Sequence, residues 1–168
     1  DTIVVTHGDQ DHISGIRELL EDKESGINIG QLIVSESGMT DAVCQELADL
    51  AQRRNILVRT CKAGDSFTGV LGDSVEILCL NPVMDVGKAQ EAASDRNADS
   101  IVLHISYGSF VMLLTGDIGI REEEELLERY DFSPVTVLKA AHHGSANSSG
   151  VEFLEAVKPA YAIFSYGE

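Results

Sequence analysis

The residues best suited to chemistry stand near the start of the chain, in the run His7-Gly8-Asp9-Gln10-Asp11-His12. Two imidazoles and two carboxylates fall within six residues. Borderline and hard divalent cations prefer such nitrogen and oxygen donors. Side chains alternate along an extended chain, so His7, Asp9 and Asp11 can project to one side. A turn into a following helix then brings His12 round. The competing reading is a polar strand-to-helix turn with Asp11 capping the helix. Two later places also end apolar strands in polar groups: Asp117, behind Leu113-Leu114-Thr115-Gly116, and the pair His142-His143. Adjacent residues point apart, so the two histidines are not expected on one ion.

These groups need elements to hold them. Residues 3–6 read as a strand, and 13–21 as a helix with Ile13, Ile16 and Leu20 on one stripe. Residues 32–35 read as a short buried strand. Residues 40–55 read as a helix that Thr40 can cap, with Asp41 favouring its start and Val43, Leu47 and Leu50 on one face. Strands are expected at 56–61 and 75–80, then a polar loop over 84–97. Residues 101–107 and 110–115 form a hairpin, since Gly108-Ser109 suits a two-residue turn with glycine first. Residues 121–130 are helical with Leu126, Leu127 and Tyr130 inward, and Glu122 to Glu125 is expected on a surface face. A strand at 135–140 runs into the histidine pair. Ser149-Gly150-Val151-Glu152 carries a capping-box signature for a last helix. A closing strand at 161–165 completes an α/β pattern of one domain over 1–168.

Composition bounds the function. The chain has 168 residues, 43% of them apolar, enough for one real core. No apolar run approaches the roughly 18 residues that span a membrane. The formal charge is −16, from 28 acids against 12 bases, with no basic run to hold a phosphate backbone. Cys44, Cys61 and Cys79 include no Cys-x-x-Cys pair and read as buried small hydrophobes, with one disulfide left open. No nucleotide-binding glycine loop, haem signal or Ser/His/Asp triad appears, and no small organic cofactor is expected.

The order His-x-Asp-x-Asp-His resembles the first metal motif of the metallo-β-lactamase superfamily, with Asp9 where most members carry a second histidine. That variant looks like the C-terminal metallo-hydrolase domain of ComEC-type DNA-uptake proteins. Leu113-Leu114-Thr115-Gly116-Asp117-Ile118 resembles the strand-borne aspartate that bridges two metals. Leu138-Lys139-Ala140-Ala141-His142-His143-Gly144-Ser145, followed by Ser148-Ser149, resembles the His-His-Gly-Ser segment of that branch.

The resemblance implies an αββα sandwich. It also implies two divalent ions, manganese or zinc with magnesium possible, because Asp9 adds a hard oxygen. The ligands would be His7, Asp9, Asp11, His12, Asp117 and His142, with Asp11 also orienting water and His143 as proton donor. Asn97 and Ser100 resemble an Asn-x-x-Ser feature and would approach the site, as would Gly144 and Ser145, whose region could offer amide hydrogens to a phosphate. His104 is expected to be structural. The implied activity is phosphodiester cleavage of single-stranded DNA during uptake, by an extracytoplasmic domain joined to a membrane domain of the same polypeptide. Rival readings are a small-molecule metallo-hydrolase and a non-catalytic interaction domain. The family has strands before its first motif and a Gly-His-Pro segment after the closing strand. On that comparison the chain reads as an internal piece lacking first strands and a terminal ligand, expected to bind metals weakly or not at all and to be inactive on DNA.

Overall fold

A computed structural model describes residues 1–22, 24, 26–67, 74–83, 95–132 and 134–167. Most of the expected loop at 84–97 therefore lies outside the described residues.

Two sheets form back to back. The first joins β1 (Thr2–Val4), β2 (Gln31–Ser35) and β3 (Leu57–Cys61), all parallel, in the order β1-β2-β3. Its crossovers are α1 (Gln10–Glu21) and α2 (Ala42–Arg53). The second sheet runs β4 (Ser66–Phe67), β5 (Val75–Asn81), β6 (Val102–Tyr107), β7 (Phe110–Leu114), β8 (Val137–Lys139) and β9 (Tyr161–Ile163) in chain order. It is antiparallel from β4 to β7 and parallel from β7 to β9, with α3 (Ile120–Arg129) and α4 (Val151–Val157) as its crossovers.

The period-two alternation of strand side chains sorts the apolar residues into three layers. Leu32 and Val34 of β2 face α1 and α2, joining Ile13, Leu20, Leu47 and Ala51. Ile33, between them in sequence, faces the other way and meets Cys61, Ile77, Cys79, Ile101 and Leu103 between the sheets. Leu80, Val102, Leu113 and Leu138 face α3 and α4, with Ile118, Leu126 and Phe153. Helix, sheet, sheet, helix is thus the layer order, the expected αββα sandwich.

Most elements fall within two residues of their expected bounds. The hairpin turn is as expected: Tyr107 pairs with Phe110 and Gly108 has φ +57°. The strand β4 and two short 3-10 turns, at Ser37–Thr40 and Ala141–Gly144, were not expected. Three local expectations are corrected. Asp41, not Thr40, caps α2, with Oδ1 accepting the amides of Val43 and Cys44; Thr40 ends the preceding 3-10 turn and donates instead to Ser37 O. Glu123 is buried, because α3 turns that side toward the loop before α4. The residue capping α4 is Gly150, and Ser149 Oγ has no partner among the described residues. The amides of Ser149 and Gly150 are taken by the Glu123 carboxylate.

Candidate metal centre

Parallel strands deliver their C-terminal ends to one edge of each sheet, and three such ends build the site. β1 ends at Val4, and the chain continues through His7 to Asp9, the N-cap of α1. The amides of His12 and Ile13 donate to Asp9 O at 3.0 and 3.1 Å. That first helical turn carries His12 back over His7, with ring centroids 4.1 Å apart.

β7 and β8 are adjacent and parallel, so Asp117 and the histidine pair emerge side by side. Their ends are tied together: Thr115 Oγ1 donates to Lys139 O at 2.6 Å, and His142 N–H donates to Gly116 O at 3.1 Å. Gly116 has φ +55°, and a Cβ there would stand 2.7 Å from Ser100 Cβ. Only glycine fits both the backbone and the space. His142 and His143 also lie in the left-handed region, at φ +46° and +57°. Such a backbone is costly for residues with a side chain and recurs at functional sites.

The side chains converge on Asp117, which is 3% exposed. His12 Nε2 lies 3.1 Å from Asp117 Oδ2 and 3.1 Å from His143 Nε2. His143 Nε2 is 3.2 Å from the same carboxylate oxygen and 3.1 Å from Asp11 Oδ2. His7 Nε2 stands 4.0 Å from Asp117 Oδ2. Two donor groups result, His7/His12/Asp117 and Asp11/His12/His143, each with its ligand atoms within 4.8 Å of one another.

Neighbours fix the rings. His7 Nδ1 contacts Ser100 Oγ at 3.2 Å and Thr6 Oγ1 at 3.1 Å, turning Nε2 toward Asp117. Ser100 Oγ also accepts the Asp117 amide at 3.0 Å, so one fully buried hydroxyl positions both residues. Asn81 Nδ2 holds Ser100 in turn, donating to its carbonyl at 2.8 Å. His143 Nδ1–H donates to Ser165 O, which leaves Nε2 directed at the cluster. This is how ligating histidines are commonly oriented.

Burial and then the nearby His12 depress the His7 pKa. The hydrogen bond to Asp117 raises that of His12. Burial alone would raise Asp117, but the hydrogen bond from His12 and the charges of His12, His143 and His7 hold it below the usual carboxylate range.

A divalent cation fits this arrangement. Buried polar atoms ordinarily find partners, yet His7 Nε2 and Asp117 Oδ1 are buried with none among the described residues. Two facing imidazole nitrogens and two carboxylates converging at 3.1–3.2 Å would otherwise be left with too few protons to share.

Of the residues expected at a site, the structure therefore gathers His7, Asp11, His12, Asp117 and His143, with Ser100 behind them. Asp9 stands apart from both groups: it is 3.9 Å from His7 Nε2, and its other oxygen meets Arg96 Nη1 at 3.4 Å. Arg96, which sequence reasoning missed, also binds Asp41 Oδ2 through Nε at 2.6 Å. His142 lies outside both groups, its ring 6.2 Å from that of His143. Asn97 accepts the Ser100 amide through its backbone carbonyl, and its Oδ1 has no partner among the described residues. Gly144 packs against Phe164, and Ser145 Oγ accepts the Asn147 amide. His104 pairs across β5 and β7 with Leu78 and Leu113, away from the cluster. The amides of Ser149 and Gly150, at the start of α4, are occupied by Glu123.

Comparisons with known proteins agree with this fold. The chain is 29% identical over 168 residues to ComE operon protein 3 of Bacillus subtilis (strain 168), covering 100% of this chain and 20% of that protein. It is 31% identical over 170 residues to competence protein ComA of Neisseria gonorrhoeae, covering 99% and 20%. The chain thus spans about a fifth of the curated relatives it matches. Among solved structures, the metallo-beta-lactamase fold protein YhfI of Bacillus subtilis superposes with a TM-score of 0.60 at 13% identity, covering 99% of this chain and 66% of that one. The family profile described as the Metallo-beta-lactamase superfamily matches residues 1–168, and the chain belongs to that superfamily.

Proposed function

We propose that this chain is a metal-dependent phosphodiesterase domain that cleaves a DNA single strand during DNA uptake. The observation that carries the reading is the pair of donor groups that share His12, with His7 Nε2 and Asp117 Oδ1 buried without a partner among the described residues. The relative named competence protein ComA supports the DNA part of it. On the same support we place the domain outside the cytoplasmic membrane, joined to a membrane domain. No helix among the described residues is long and apolar enough to cross a membrane.

His7, His12 and Asp117 would hold one ion, and Asp11 and His143 a second, with the Asp117 carboxylate able to serve both. Two divalent ions, manganese or zinc with magnesium also possible, would supply charge to stabilise a phosphoryl group and would acidify water enough to act near neutral pH. With Asp9 held by Arg96, the donors that converge are three imidazoles and two carboxylates, a set that suits zinc as well as manganese. Asp11, with its side chain 64% exposed, sits at the mouth and can orient a water and take its proton. Ser100 and the Ser165 carbonyl hold the rings still while substrate enters.

A second reading is hydrolysis of a small phosphodiester. The net charge of −16 favours it, since a long nucleic acid is repelled by a surface with 28 acids and 12 bases. The deciding experiment incubates the metal-loaded protein with a single-stranded oligonucleotide, a duplex and bis(p-nitrophenyl) phosphate. Chelator-sensitive cleavage of the single strand, abolished in a folded Asp11→Ala variant, is expected. Cleavage of the small diester alone supports the second reading. A folded, metal-bound protein that cleaves none of the three overturns both.

A further inference from the structure

Two buried thiols that the metal centre does not use lie where the sheets meet. Cys61 ends β3 in the first sheet, and Cys79 lies in β5 of the second. Both are free thiols, 1% and 0% exposed, and their Sγ atoms are 3.9 Å apart. Apolar residues of both sheets, Ile33, Ile77, Ile101 and Leu103, pack in the same layer. The backbone already straps the two residues together. Gly64 N–H donates to Cys79 O, and Cys79 N–H donates to Asp65 O, both at 2.8 Å. A disulfide needs its sulfurs about 2 Å apart. Closing the bond therefore requires the two side chains to turn toward each other across the 3.9 Å between their sulfurs.

We propose that Cys61 and Cys79 are a cystine-forming pair that staples the two sheets, closed by exchange with a small-molecule or protein disulfide. In the first step the thiolate of one cysteine attacks the external disulfide, forming a mixed disulfide and releasing one thiolate. The second cysteine then attacks that mixed disulfide, forming the Cys61–Cys79 bond and releasing the other thiolate. The pair loses two electrons, which reduce the external disulfide. Its two protons end on the two thiols released. Local opening of the strand ends gives access. Cys44 is the internal control. It packs against the positions of Gly8 and Gly38, away from the pair, and burial pushes its thiol up to about 11.

The test unfolds the reduced protein and refolds it in a buffer of reduced and oxidised glutathione. Free thiols are then alkylated, and intact mass and peptide map are read. Unfolding first removes burial as a barrier to reaction. The expected product has one alkylated thiol, Cys44, instead of three, and a disulfide-linked peptide joining Cys61 to Cys79. A Cys44→Ser variant should then show no free thiol, which keeps the test decisive if Cys79→Ser does not fold. Three alkylated thiols after refolding, or any bond that includes Cys44, would overturn the proposal.

Discussion

Asp117 and Glu123 are both buried carboxylates on the same side of the second sheet, 3% and 1% exposed, yet their surroundings differ. Both oxygens of Glu123 accept backbone amides, from Ser149 at 2.6 Å and from Gly150 at 2.8 Å. Hydrogen bonds offset part of its desolvation, and it ties α3 to the start of α4. Asp117 has one oxygen among imidazoles and the other without a partner among the described residues. An unmatched buried acceptor costs stability. The fold carries that cost where strand ends converge and avoids it at Glu123. The comparison separates a carboxylate that the backbone completes from one that a cation would complete.

Substitutions at the two positions should therefore fail in different ways. Asp117→Ala should weaken metal binding at least about 100-fold, more than loss of an outer partner does, while leaving thermal stability of the metal-free protein nearly unchanged. Equilibrium dialysis and a melting curve check both halves. Glu123→Ala should do the reverse. It strands two amides, at roughly 1–3 kcal/mol each, so a loss of about 3 kcal/mol in denaturant unfolding is expected, with metal stoichiometry kept in the folded protein. Burial holds the Glu123 pKa above the usual glutamate value of about 4.3. The stability it contributes is therefore full below that value and declines as pH rises through its folded pKa. Glu123→Gln should flatten that decline in an unfolding series across acidic pH; an unchanged slope would mean that the carboxylate is not desolvated as described. Ser100→Ala, which leaves His7 Nδ1 with Thr6 Oγ1 alone and strands the Asp117 amide without removing a ligand, should cost about 10-fold in metal affinity, at the lower end for outer partners.

How much of this was legible in the sequence depends on distance along the chain. The run from His7 to His12 was, because its groups are local and a strand-to-helix turn suffices to gather them. The layers were too, since single-residue alternation such as Leu32, Ile33, Val34 encodes which side faces helix and which faces sheet. What depended on tertiary contact was not. Four consecutive glutamates give no sign that Glu123 is the one turned inward, for its partners are amides 26 and 27 residues away. The choice between His142 and His143 rests on a left-handed turn and on the Ser165 carbonyl, neither of which leaves a mark in the local pattern. Arg96 could have been suspected only as one base near an acidic motif, since its contacts with Asp9 and Asp41 are 87 and 55 residues distant.

The convergence itself is the central claim, and isothermal titration of the metal-stripped protein with manganese and with zinc tests it most directly, alongside a His12→Ala variant. The account predicts saturable binding of two ions per chain, reduced in the variant to one ion or fewer with affinity at least 10-fold weaker, because His12 belongs to both donor groups. An absence of binding by the folded protein, or the same stoichiometry and affinity in folded His12→Ala, would contradict it.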